Sequence, residues 1–277
     1  MKIRSQYDYI VLGATMPGVL FAAAKARAGY SVLLTNRYGF PGGSVTELLN
    51  CFQDIPGSAD AEIAELCKII SRDNVAPSVV NPETVKYALQ TFLETTNVDL
   101  YYHVVPHSMS TEDPSSVSIS FLAKEGLVTV YGKKVLDASD ELYGAAILGI
   151  PTKVGEQNIN IFITAPNNES FLSFPKVRHS VKLNDGRYWI SLRIDSTNEL
   201  FQEDESHLLM DEFRIVLERS GSRIQMLPLG IHSQVSLHDG HALNGSFVTL
   251  NDLLGRTFRS SAQCAKTSAV LETINIF

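Results

Sequence analysis

The sequence predicts an α/β protein: a three-layer domain on a mostly parallel sheet, with a smaller strand-rich second domain. Three observations predict it. Residues 7–36 read as strand, turn, helix, strand: "YDYIVLG", "ATMPG", "VLFAAAKARAG" and "YSVLLTN". From Pro151 the composition turns toward Asn, Ser and Thr, with less alanine. The tail "GSFVTLNDLLGRTFRSSAQCAKTSAVLETI" then returns to strand, turn and helix with small residues. The expected division is therefore 1–150 with 228–277 as the first domain and 151–227 as the second.

Each element has a local reason. Continuous apolar runs such as "YIVL" mark parallel strands buried on both faces, which helices would cover. Ala22, Ala23, Ala24, Ala26 and Ala28 let the first helix sit close to the sheet, and Gly29 ends it. Ile63, Leu66, Cys67 and Ile70 fall on one face of a helix. Asn81 is placed to cap a further helix with Pro82 at its first position, and Val85, Leu89 and Phe92 form its buried stripe. Residues 98–137 read as strands with a hairpin at "KEG". Beyond Pro151 the segments "NINIFITA" and "RYWISLRI" read as strands and "EDESHLLMDEFRIVLERSG" as a helix.

Composition bounds the function. The chain has 277 residues, 44% hydrophobic and 19% charged, with a formal net charge of −7. That balance suits a globular protein and opposes a nucleic-acid face. No run approaches the roughly 20 apolar residues of a membrane span, and Tyr9–Leu12 is too short for a signal-peptide core. Cys51, Cys67 and Cys264 are an odd set without metal spacing, which fits a reducing, cytoplasmic setting.

The turn after the first strand carries the chemistry. In a strand-loop-helix that binds a dinucleotide, one glycine makes the turn and a second admits the pyrophosphate. A third lets helix and strand pack, and the helix N-terminus offers free N–H groups. Gly13 and Gly18 hold the first and third places and Thr15 the second, followed by Met16 and Pro17. The Thr15 hydroxyl could donate to a phosphate in place of the missing approach. Asn36 stands at the end of the second strand, where an acid would grip a ribose hydroxyl.

"RYGFPGG" follows, and with it the chain resembles the FAD-dependent oxidoreductases of the two-dinucleotide-binding-domain type, in the branch carrying "ERYGFLGG". Arg37, Tyr38, Gly39, Phe40, Gly42 and Gly43 match that phrase. "VDLYYHVVP" is similar to the family's adenine-side strand, with Val104 and Val105 in place. "KKVLDASDELYGAAILGIP" is similar to "KVVIDATGDGDLAALAGVP", with Asp137 and Ala138 in register and Ser139 and Asp140 standing for "TG". Asn251 and Asp252 stand for the closing Gly-Asp.

The resemblance implies a Rossmann-like FAD/NAD(P)-binding fold and an oxidoreductase acting on a small-molecule substrate. It implies FAD held non-covalently by Gly13, Thr15, Met16, Pro17, Gly18, Asn36 and Arg37, with Gly42, Gly43 and Ser44 near the flavin and pyrophosphate. Val104, Ala138, Ser139 and Asp252 complete that set. No catalytic side chain and no metal ligand is assigned. Thr15, Asn36, Asp140 and Asn251 motivate a rival: a member that keeps the fold for binding or assembly, beside a partner chain or its own copies.

Other candidates are weaker. Arg187, Trp189, Ser191 and Arg193 share one face of "RYWISLRI" and could line a substrate surface. His232, His238 and His241 with Asp239 match no zinc spacing and read as a surface turn. His103 and His107 read as structural, Cys67 as core packing, and Ser261 or Cys264 as part of a closely packed helix.

Overall fold

The computed structural model describes residues 3–52, 61–72, 75–76, 78–110, 116–165, 168–195, 202–237 and 247–249. The first sheet holds β1 (Gln6–Leu12), β2 (Val32–Asn36), β3 (Asp99–Tyr102), β4 (Val105–Ser110), β5 (Val117–Ala123), β6 (Gly126–Asp137) and β12 (Phe247–Thr249). Its order is β3-β2-β1-β6-β5-β4, with β12 also on β6. β3, β2, β1, β6 and β12 run parallel, whereas β4, β5 and the start of β6 form an antiparallel meander.

β6 serves both parts. Its first half closes the expected hairpin on β5, with Ala123 opposite Gly126. Its second half runs beside β1, from Gln6 opposite Tyr131 to Leu12 opposite Asp137. At the changeover Gly132 leaves room for Ile10, whose Cδ1 would lie 2.8 Å from an added β-carbon.

Helices cover one face of the parallel strands. α1 (Met16–Arg27), α3 (Ala61–Arg72) and α4 (Pro82–Glu94) bury Val19, Leu20, Ile70, Val85 and Leu89 against Tyr9, Val11, Leu34 and Leu136. Asn81 caps α4 as expected, accepting from the N–H of Glu83. Helices on both faces were expected, and here the structure differs: Ile10, Leu12 and Leu33 pack instead on Ile119 and Phe121 of the meander. The third layer is therefore β, because Val117, Ile119 and Phe121 of β5 are buried against the parallel strands while Ser118 and Ser120 alternate with them on the outer side.

The second sheet is antiparallel, in the order β10-β7-β9-β8 with β11 on β7. It comprises β7 (Thr152–Thr164), β8 (Val177–Lys182), β9 (Arg187–Ile194), β10 (Arg223–Met226) and β11 (His232–Leu237). α6 (Gln202–Arg219) lays Leu209, Phe213 and Leu217 on Ile161, Tyr188, Ile190 and Leu192. β11 keeps the chain in this sheet past residue 227, and β12 is where it rejoins the first.

The other face of β9 packs inward at its middle and carries ion pairs toward its ends. Trp189 and Ser191 are buried, Trp189 within the core of the first sheet. Arg187 pairs with Asp185 and Arg193 with Asp195 on the surface. The alternation correctly divided the two faces, and at Trp189 and Ser191 the second is covered as well as the first.

One loop joins the sheets. Leu229 N–H donates to Glu47 O (2.8 Å), Asn160 Nδ2 to Leu48 O (3.0 Å) and Trp189 Nε1 to Leu49 O (2.8 Å). Asn50 Nδ2 lies 3.3 Å from His232 Nε2. This anchoring holds Leu49 at a φ of 52°, a left-handed conformation unusual for a branched side chain. Trp189→Phe keeps the ring and strands a buried carbonyl, so it should cost about 1–3 kcal/mol in urea unfolding. An unchanged midpoint would show that the indole N–H carries nothing.

Candidate functional site: a crevice at the carboxyl ends of the parallel strands

β1 lies between β2 and β6, and the chain leaves it for β2 on one side while β6 arrives on the other. In open α/β sheets such a switch point leaves a crevice beyond the carboxyl ends of the strands, where ligands bind. Here it is lined by Gly13, Thr15, Asn36, Arg37, Gly43, Val104 and Ser139 from the expected set, and by Glu47, Asp140, Glu141 and Tyr143. Met16, Pro17, Gly18, Gly42, Ser44 and Ala138 are buried around it. Asp252 and Asn251 lie outside the described residues.

The turn is built by close approach. Gly13 has a φ of 93°, and a β-carbon there would lie 2.6 Å from Ser139 Cα. One on Gly18 would lie 2.4 Å from Gly13 O. Thr15 caps α1: its hydroxyl accepts from Gly18 N–H (3.2 Å) and donates to Ala138 O (2.9 Å). The expectation that this hydroxyl could serve a phosphate therefore gives way, since its proton already goes to the end of β6. Pro17 has no N–H to offer.

The other polar groups are similarly engaged. Asn36 Oδ1 accepts from Ala14 N–H (3.3 Å), and its Nδ2 donates to Phe40 O (2.7 Å) and Glu47 Oε1 (3.0 Å). Ser139 Oγ donates to Asp137 (2.5 Å) and accepts from Tyr143 N–H (3.0 Å). Asp137 is fully buried and also accepts from the N–H groups of Ser139, Gly144 and Ala145, securing the start of α5 (Tyr143–Ile147). Burial outweighs these bonds and lifts its carboxyl to about 6. Ser44 N–H donates to Asp140 Oδ2 (2.7 Å), and Gly42 N–H to Ala14 O (2.7 Å). Gly39 makes room for the His103 ring, which fits the structural reading of that histidine.

Sequence reading missed the electrostatics. Glu47, from the short helix α2 (Ser44–Glu47), meets Asp140 and Glu141 in one crevice. Burial pushes Glu47 up to about 7, with Asp140 adding to the rise while the Asn36 hydrogen bond and Arg37 oppose it. Burial also lifts Glu141 to about 8, helped by Asp140 and Glu47 and opposed by Arg37. The Arg37 guanidinium donates to Tyr143 Oη (3.2 Å), and this bond raises its own pKa. The run "SDE" in "DASDELYG" was the available signal; nothing local to Glu47 announces that its helix turns toward that run.

The crevice encloses about 20 Å³ of free space, room for one or two waters. Elsewhere, burial raises the thiols of Cys51 and Cys67, which suits packing. His232 is buried beside Asn50, whereas His238, Asp239, His241, Ser261 and Cys264 lie outside the described residues. Among the described residues no His, Cys, Asp and Glu cluster could hold a metal, and no helix is long and apolar enough to cross a membrane.

Glu47 and Glu141 release protons later in the folded chain than in the unfolded one, whose carboxyls titrate near 4.5. Between those values the folded state holds more protons, so stability should fall as pH rises from about 4.5 to 8. For Glu47 the loss should be on the order of 3 kcal/mol. Glu47→Gln should flatten the fall in urea midpoints between pH 5 and 8. An identical slope in the variant would show that Glu47 does not titrate late.

Comparison with known proteins agrees with this architecture. p-Nitrophenol 4-monooxygenase PnpA from Pseudomonas putida DLL-E4 superposes with a TM-score of 0.62 at 12% identity, over 99% of this chain and 79% of its own. The flavin-dependent monooxygenase PieE, solved with FAD and substrate, gives 0.59 at 13%, over 97% of this chain and 56% of its own. Aklavinone-11 hydroxylase, solved with FAD and aklavinone, gives 0.56 at 10%, over 100% and 62%. The chain thus spans about three fifths of the latter two. No curated protein matches it significantly. A family described as FAD dependent oxidoreductase matches residues 8–225. The chain belongs to that FAD-dependent oxidoreductase family, whose cofactor is FAD.

Proposed function

We propose that the chain holds FAD non-covalently in the crevice at the ends of β1, β2 and β6 and uses it to oxidise or reduce a small molecule. One observation carries the reading: expected cofactor residues from four separate segments, Gly13 and Thr15, Asn36, Arg37 and Gly43, Val104, and Ser139, line one hollow at the switch point. When bound, FAD supplies the electron- and hydride-transfer chemistry, and the protein supplies position and electrostatics.

The residues fit the cofactor in place but leave it little space. The N-terminus of α1 brings positive partial charge toward the phosphates. Gly42, Gly43 and Ser44 would lie near the flavin and the pyrophosphate, buried Val104 would meet the adenine, and Arg37 would offset phosphate charge. Ala138 and Ser139 would form the floor behind the pyrophosphate. Ligand pockets run to roughly 300–1,000 Å³, against about 20 Å³ here, so the crevice must widen. We place the substrate-facing unit in the second sheet, 151–227 extended through β11. Buried free thiols suit a reducing, cytoplasmic setting.

The engaged hydroxyl of Thr15, the amide of Asn36 and the small hollow favour a second reading. In it the chain keeps the family scaffold for assembly with a partner chain and has given up the flavin. Equilibrium dialysis of the purified full chain against FAD separates the two. We expect one FAD per chain, released intact on denaturation, with a flavin absorption spectrum. A chain that stays colourless and takes up no FAD overturns the first reading in favour of the second.

A further inference from the structure

The crevice already contains an anion. Asp140 follows β6 and reaches across to the glycine loop after β2, where its Oδ2 lies 2.7 Å from Ser44 N. That loop is tied down on its other side by Gly42 N–H on Ala14 O. The crossing therefore connects both walls of the hollow where the FAD phosphates would pass. It also puts a carboxyl group, of the cofactor's own charge sign, in the lining of that hollow.

Resting on the flavin reading, we infer that Asp140 is a latch: its carboxylate takes a backbone donor that a phosphate oxygen would take, so FAD enters only by displacing it. The neighbours set its balance. Arg37, just past the end of β2, is the cation in the lining of the crevice, while Glu47 from α2 and Glu141 line it beside Asp140. Tyr143 of α5 accepts from the Arg37 guanidinium and lines the same crevice as Asp140. An incoming pyrophosphate would replace Asp140 on Ser44 N–H and gain Arg37, and the freed carboxylate would turn to water.

Asp140→Gly removes the latch without adding bulk. Fluorescence titration with FAD should show the variant binding roughly 10–100-fold more tightly than the parent, the span of one hydrogen bond to a charged group. Inorganic pyrophosphate should raise the melting temperature of the variant more than that of the parent. Asp140→Asn keeps the shape and a carbonyl acceptor for Ser44, and should bind FAD with intermediate affinity. If Asp140→Gly does not fold, the Asn variant alone decides, and an affinity equal to the parent's overturns the latch. Equal FAD affinity in all three proteins overturns the latch and leaves the flavin reading standing. No FAD uptake by any of them overturns both.

Discussion

Gly13 and Ser139 meet at a distance that admits no β-carbon, and the working end of the molecule is arranged around that approach. The register of β1 on β6 sets it, since Leu12 stands opposite Asp137 and each strand ends in its own turn. Ala138 N–H then donates to Leu12 O (2.8 Å), and the Thr15 hydroxyl donates to Ala138 O. A turn held so closely gives the crevice a rigid floor. It also consumes polar groups that a more open turn would leave facing the hollow, so packing and ligand recognition compete for the same atoms.

The parallel core was legible because its signals are local. The apolar run at Tyr9, the alanines of α1, the Asn81–Pro82 cap and the glycine hairpin each act within a few residues. The β third layer was not, since a buried strand reads the same whether helices or another β layer covers it. Trp189 shows a similar limit: its position on the face opposite Ile190 was readable, yet its partner Leu49 is 140 residues away. The location of the crevice could be read from glycines and phrase matches. Its internal commitments could not, because the partners of Asn36 and Thr15 come from α2 and the end of β6.

Charge explains why this crevice differs in character from a bare nucleotide turn. Three carboxyls and one guanidinium share a small, poorly solvated volume, and burial favours the neutral forms of Glu47 and Glu141. Asn36 in place of an acid is consistent with this setting, since its amide donates to Glu47 where a carboxylate would repel it. Fold membership in the FAD-dependent oxidoreductases and the local polar chemistry are therefore separate facts about the chain.

The division of β6 between two partners bears on how the chain assembles as it is made. Synthesis delivers β1 through β6 early, so the meander and the first parallel pairs can form while the ribosome is still adding the second sheet. Phe247–Thr249 must come last to cover Val135–Asp137. Until then the inner strand presents one bare flank of amide and carbonyl groups, a template for pairing with a neighbouring nascent chain. A truncation before residue 247 would make that transient exposure permanent.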